Sequence, residues 1–192
     1  MNILAVIDHP WKESFNYAVL DAFISGAGDA GHTVEVIDLN AIGFNPVVSP
    51  AELAVYSEGG SHDPIVREHQ NRIMHSQHLV FVYPVWWSVM PARLKGWFDK
   101  VFLPGFAFTP GDVPKPLLTH IPSATVLTTT GAPDDLHRTL YGEPTRRVVC
   151  EGTLAFCGIA SAEWLNFGLA GIAPRADHEA WLRKVRDYAL GL

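Results

Sequence analysis

The sequence predicts an α/β fold, a doubly wound, mostly parallel sheet of five strands with helices on both faces, and three observations predict it. Short apolar runs rich in β-branched residues alternate with segments whose apolar residues recur at i, i+3 and i+4. Prolines stand where several helical segments begin and glycines where they end. No repeat and no linker interrupts the 192 residues, so the chain reads as a single domain over 1–192.

Asn2 to Ile7 is a continuous apolar run, as expected of a strand buried on both faces of a parallel sheet. A loop from Asp8 to Glu13 leads to Ser14, a candidate N-cap, and then to Phe15, Ala18, Val19, Ala22 and Phe23 at helical spacing, with Gly31 as the stop. Thr33 to Leu39 is the second strand, and its mixed polarity suits a sheet edge. Asn40 to Asp63 holds Gly, Pro and Ser without a sustained period and reads as a long excursion. Asp63-Pro64 opens a helix to about His75, and Leu79 to Tyr83 is the third strand, stopped by Pro84. Pro91 opens a helix marked by Leu94, Trp97, Phe98, Val101 and Phe102, which ends at Pro104-Gly105. Ala124 to Thr130 is the fourth strand, Pro144 to Cys157 a helix stopped by Gly158, and Ala160 to Phe167 the fifth strand. Pro174 opens the last helix, whose buried face carries Trp181, Leu182, Val185, Tyr188 and Ala189.

Nearly half the residues (48%) are apolar, enough for a core without disulfide staples. The net charge of -6 and the lack of a Lys/Arg run argue against nucleic acid and against an anionic membrane surface as partners. Cys150 and Cys157 read as buried free thiols sharing one helix face, which suits a reducing compartment. The N-terminus lacks the features of a signal peptide, and the longest apolar stretch, Leu79 to Ala92, is broken by Pro84 and Pro91. It falls short of the roughly 20 residues a membrane helix needs, so a cytoplasmic protein without membrane insertion is expected. His69, His75 and His78 lack the spacing of a helical zinc site and read as a solvated helix face, with no metal expected; no GxSxG elbow suggests a hydrolase.

In a sheet of this kind ligands bind beyond the carboxyl ends of the strands, where strand order reverses, so the loops after Ile7, Tyr83 and Thr130 matter most. The first delivers hydroxyl, amide and imidazole groups to a helix N-terminus, an anion site without the glycine ladder of a Walker or dinucleotide fingerprint. The second sets Trp86 and Trp87 beside Tyr83, where a planar ring is a natural cover. The third joins Thr128, Thr129 and Thr130 to Gly131, where backbone N–H groups can approach a ligand closely. Each loop taken singly also admits a plain structural role: a helix cap, packed aromatics, a turn.

Together these loops resemble the NAD(P)H:quinone oxidoreductase family of the DT-diaphorase type. That family includes smaller bacterial members related to subunits of glutathione-gated potassium efflux systems. The most specific stretch runs from Pro84 to Phe108: Pro84-x-x-Trp87, then Pro91-Ala92-x-Leu94-Lys95-Gly96-Trp97-Phe98-Asp99-Lys100-Val101-Phe102, then Gly105-Phe106-Ala107-Phe108. The resemblance covers His9 to Gly158 and implies a flavodoxin-like fold with bound FMN, or alternatively FAD, and NADPH or NADH as co-substrate. Carried over by position, it implies that His9, Ser14, Phe15, Asn16 and Ala18 line the phosphate side of the flavin. Pro84, Val85, Trp87 and Ser88 run along its ring, and Thr129, Thr130, Gly131 and Ala132 complete the site. Larger members place a Tyr and a His on the loop after the TTGG segment, whereas this chain has Ala132-Pro133-Asp134-Asp135 and then His137. His137 falls where that Tyr is expected and is the candidate proton donor, with Tyr141 as its competitor.

The expected activity is two-electron hydride transfer from NAD(P)H through the flavin to a quinone-like acceptor, by a ping-pong mechanism at one shared pocket. Reduction of azo or nitro compounds, and a role as regulatory subunit of a potassium efflux system, are the alternatives. Trp97, Phe98, Phe102, Phe106 and Phe108 form more aromatic surface than one helix face usually buries, which points with the resemblance to a homodimer.

Overall fold

The computed structural model describes residues 1–56 and 61–192, with His137 described by its backbone alone. Its elements are β1 (Asn2–Ile7), α1 (Phe15–Asp29), β2 (Thr33–Asp38), α2 (Pro50–Ala54), α3 (Pro64–Met74), β3 (His78–Pro84) and α4 (Ala92–Val101). After these come β4 (Ser123–Thr129), α5 (Asp134–Thr139), a π-helix (Arg146–Leu154), β5 (Ser161–Phe167) and α6 (Arg175–Leu190). All five strands are parallel in the order β2-β1-β3-β4-β5, so β2 and β5 are the edges and order reverses between β1 and β3. The central strands β1, β3 and β4 are buried along nearly their whole length, because helices cover both of their faces; β2, with its mixed polarity, is an edge.

Two apolar clusters lie on the two sides of the sheet. On one, Phe23, Leu20 and Val185 of α1 and α6 pack on Ile3, Ala5, Val80 and Val82. α1 and α6 approach so closely that a Cβ on Gly26 would lie 2.1 Å from the Arg186 carbonyl oxygen. On the other side Leu94, Trp97, Phe98 and Val101 of α4 pack on Leu79, Phe81 and Tyr83, joined by α3 and the π-helix. The aromatic surface that suggested a dimer is therefore used within the chain. Trp97, Phe98 and Phe102 are buried, with Phe98 5.0 Å from both Phe81 and Phe102 between ring centres, and Phe106 and Phe108 are half-buried against the same cluster.

The excursion after β2 is fastened to α4. The buried Lys100 ammonium pairs with Glu52 (3.0 Å) and Asp63 (3.2 Å) and donates to the Asn45 carbonyl (3.1 Å), while Gly96 faces Pro46. Residues 57–60 of the excursion lie outside the described residues. The excursion also contains α2, capped by Ser49 with Glu52 answering from the third helical position.

Three further expectations change. The helix expected from Pro144 to Cys157 is a π-helix over Arg146–Leu154, with the Ala155 N–H donating five residues back to the Cys150 carbonyl (3.0 Å), and Cys157 lies past its end. Both thiols are free and buried. A short helix, α5, occupies the segment after Pro133. His69 and His78 are buried rather than solvated. His69 accepts from the Trp97 indole N–H (3.0 Å), and His78 sits between the Ser123 and Thr125 hydroxyls (2.7 and 2.8 Å). No helix among the described residues is long and apolar enough to cross a membrane.

Candidate active site

The loops after β1, β3 and β4 converge at the carboxyl end of the sheet. A cleft of about 570 Å³ opens there, walled by Pro84, Val85, Trp86 and Trp87 on one side and by Thr129, Thr130 and Gly131 on the other. Ala170 and Gly171, from the segment after β5, close its end. The two walls are joined at the base, where the Val85 N–H donates to the Thr129 carbonyl (2.8 Å).

The Trp wall is a tight turn. Trp86 and Val89 exchange both backbone hydrogen bonds (2.9 and 3.1 Å), and the residues between them, Trp87 and Ser88, have φ of 51° and 65°. Two positive φ values are the signature of a type I′ hairpin turn, which normally takes Asn or Gly there. A bulky residue in the left-handed region is strained, by about 1 kcal/mol or more per position. The strained turn carries the Trp87 indole into solvent (99% exposed), with Trp86 46% exposed beside it. Such an apolar surface on a strained backbone makes this turn a candidate ligand wall.

At the start of α1 the Ser14 hydroxyl is buried, makes no cap hydrogen bond and has no hydrogen-bond partner among the described residues. An orphaned hydroxyl beside the N–H groups of a 15-residue helix is a fitting receptor for a phosphate. His9 Nδ1 lies 3.1 Å from the Trp11 N–H and 3.0 Å from the Trp11 carbonyl oxygen, so the imidazole is held by the backbone of its own loop. The side chains of Phe15 and Asn16 make contacts within the chain. Phe15 packs on His178 and Trp181 of α6 (4.5 and 5.9 Å between ring centres), and the buried Asn16 amide donates to Thr129 Oγ1 (3.1 Å), lashing the first loop to β4. Ala18 is half-buried one turn into α1.

The Thr wall is held from the edge strand. Asn166 of β5 accepts from Thr128 Oγ1 (2.7 Å) and donates to Thr130 Oγ1 (3.0 Å) and Asp134 Oδ1 (2.5 Å). Thr130 Oγ1 in turn donates to the Ala132 carbonyl (2.9 Å), and the Thr130 and Ala132 carbonyls accept from Ala170 and Leu169 (3.0 and 3.2 Å). The Gly131 and Ala132 N–H groups have no partner among the described residues. Ser88 and Ala132 thus shape the turns that flank the cleft, while Pro84, Val85, Trp87, Thr129, Thr130 and Gly131 line it. The backbone of His137 lies in α5, and its side chain falls outside the described residues; Tyr141 follows α5 and is exposed. Sequence reasoning missed Asn166, Ala170 and Gly171, which only their place beyond the carboxyl end of the fifth strand could have signalled.

Behind Trp86 a smaller pocket of about 310 Å³ is walled by Asp8, Pro10, Phe44, Pro46, Pro91 and Arg93. Burial pushes the Asp8 carboxyl above its ordinary range, opposed by the Arg93 guanidinium 3.7 Å away and by the Leu94 N–H that donates to it (3.0 Å). On β2, burial also acts to raise Asp38. Hydrogen bonds from the Ala41 N–H, Lys12 and Tyr17 outweigh it and leave that carboxylate below its ordinary value.

A cleft with one aromatic wall, one wall of backbone donors, and an orphaned hydroxyl at a helix N-terminus nearby fits a flat ring that carries a phosphate. The flavodoxin-like fold family model matches residues 1–189. The chain is 30% identical to NAD(P)H dehydrogenase [quinone] 1 of Cavia porcellus, over 96% of this chain and 76% of that protein. It is 29% identical to an uncharacterized NAD(P)H oxidoreductase of Haemophilus influenzae, over 88% of this chain and 84% of that one. The solved NAD(P)H:quinone oxidoreductase from Methanothermobacter marburgensis superposes with a TM-score of 0.90 at 30% identity, covering 99% of this chain and 98% of that one. The chain belongs to the flavodoxin-like fold family, among the NAD(P)H:quinone oxidoreductase flavoproteins.

Proposed function

We propose that the protein is an NAD(P)H-dependent flavin oxidoreductase that reduces quinone-like acceptors. The observation that carries this reading is the strained Trp86–Val89 turn facing the Thr129–Gly131 donors across one cleft. When bound, the flavin supplies a two-electron hydride relay between nicotinamide and acceptor. The chain's own residues do the rest. Ser14, the His9 ring and the first N–H groups of α1 hold the phosphate, and Pro84, Val85 and Trp87 hold one edge of the ring. The Gly131 and Ala132 N–H groups donate toward charge that develops on the opposite edge. His137 is proposed to move the proton, with Tyr141 as its competitor.

One cleft and no dinucleotide fingerprint favour reductant and acceptor taking turns in the same place. The cofactor is proposed to be FMN rather than FAD, and the setting a reducing cytoplasm that keeps Cys150 and Cys157 as thiols. Two copies are proposed to pair, as the resemblance implies.

One preparation tests the reading. Purified protein should bind FMN or FAD at micromolar concentration, and acid release with chromatography names which. Initial rates over a matrix of NADPH and menadione should give parallel double-reciprocal lines on a sample that sediments as a dimer. No flavin binding would end the proposal; intersecting lines would end only the shared pocket, and a fully active monomer only the dimer.

A further inference from the structure

Across the Thr130–Ala132 turn from the cleft lies a pocket of about 200 Å³, between α5, the start of the π-helix, the outer edge of β5 and α6. Its walls gather Arg138, Arg146 and Lys184 with the carboxylates of Asp134 and Glu143. Cations thus outnumber carboxylates here, although the chain as a whole is acidic.

Glu143 stands between the two arginines, 3.4 Å from Arg138 Nε and 3.5 Å from Arg146 Nε, on a turn where Gly142 and Glu143 have φ of 67° and 55°. The terminal guanidinium nitrogens of both arginines have no hydrogen-bond partner among the described residues, nor does the Lys184 ammonium. Asp134 is occupied by Asn166. Two guanidinium forks and an ammonium around a small polar pocket match a phosphate monoester, which presents several charged oxygens to planar donors at once. Glu143 serves as the internal counter-ion that such a dianion displaces.

Asn166 stands between this pocket and the cleft, bonded to Thr130 on the cleft wall and to Asp134 on the pocket wall. A dinucleotide with its nicotinamide in the cleft can therefore lay its adenosine half over that wall with the ribose phosphate above Arg146 and Lys184. We propose that the Arg138–Arg146–Lys184 pocket receives the 2′-phosphate of NADPH and makes the protein select NADPH over NADH. This rests on the reading that nicotinamide stacks in the cleft.

The test uses flavin-loaded protein. Calorimetry compares 2′,5′-ADP with ADP, which has as many phosphoryl groups but no 2′ ester. 2′,5′-ADP should bind about tenfold tighter or better, the size expected of a charge-assisted contact, and raised salt should erode the difference. Arg146→Gln and Lys184→Gln, each on the surface, should each remove most of that preference and lower the NADPH-to-NADH ratio of kcat/KM in step. Equal binding of the two ligands, or a preference that survives both substitutions, overturns the proposal. Selective 2′,5′-ADP binding that these variants abolish, in a protein whose flavin neither nicotinamide reduces, supports the phosphate site and rejects the oxidoreductase reading.

Discussion

Trp87 and Trp97 are ten residues apart and chemically identical, yet one is 99% exposed on a left-handed backbone and the other fully buried. The strain at Trp87 gives a test in which stability and function move in opposite directions. Trp87→Gly relieves roughly 1 kcal/mol of backbone strain and should raise the melting temperature of the flavin-free protein. It also removes the aromatic wall, so flavin retention should weaken by about tenfold, as for a lost stacking surface. Trp87→Ala should weaken retention without the gain in stability. Thermal unfolding with a flavin titration reads both, and retention within about twofold of the parent in either variant would make the indole irrelevant to the site. The sequence pointed to Trp87 through the residues around it. The bond from Asn16 to Thr129 spans 113 residues of chain, and that Ser14 lacks a partner among the described residues is equally a matter of packing, so no local pattern reveals either.

Elements that announce themselves by punctuation were legible. The Asp63 cap, which accepts from the Ile65 N–H (2.9 Å), the proline starts at Pro91 and Pro174, and strand ends within one residue of expectation all follow from local backbone chemistry. Elements too short or too irregular for a period were not. α2 and α5 hold 5 and 6 residues, and within the helix expected from Pro144 to Cys157 the π winding has a period that a 3.6-residue template does not detect. How the excursion seats on α4 is also a matter of packing. A Cβ on Gly96 would come within 2.2 Å of the Pro46 carbonyl oxygen, so Gly96→Ala must push that segment away. The helix gains up to about 1 kcal/mol in propensity from the change, while overpacking costs typically 1–3 kcal/mol and here meets rigid backbone. Net destabilisation of about 1–2 kcal/mol is expected in urea unfolding. A neutral or stabilised variant would show that the excursion yields freely.

At the scale of the whole molecule, the sheet encloses a titratable group that ties stability to pH. Burial holds the His78 imidazole down at about 4, with His32 nearby adding to the effect, against an ordinary value of 6.5. Above pH 6.5 both folded and unfolded chains carry the ring neutral, and it costs nothing. Between pH 6.5 and 4 the unfolded chain takes up the proton that the native ring refuses, so stability falls with falling pH, by up to about 3 kcal/mol. Urea unfolding at a series of pH values should show that slope, and His78→Gln should flatten it while lowering stability at neutral pH, because the Ser123 and Thr125 hydroxyls lose a well-placed partner. An unchanged slope in the variant would assign the acid sensitivity to other groups.

The sequence by itself determined the order of the five strands and the longer helices, a doubly wound and mostly parallel architecture, and the three loops at the strand ends. Cap residues, proline and glycine punctuation, and hydrophobic period act over a few residues and are written directly in the chain. Only the tertiary structure decided that Ala170 and Gly171 close the cleft, that Asn166 braces the Thr130 turn, and that the aromatics of α4 belong to this chain's own core. Those outcomes depend on which crossover sets which strand beside which, and on how closely backbones such as Gly26 with Arg186 come to rest. Residue type and spacing carry no measure of either, because packing is settled between segments far apart in the chain.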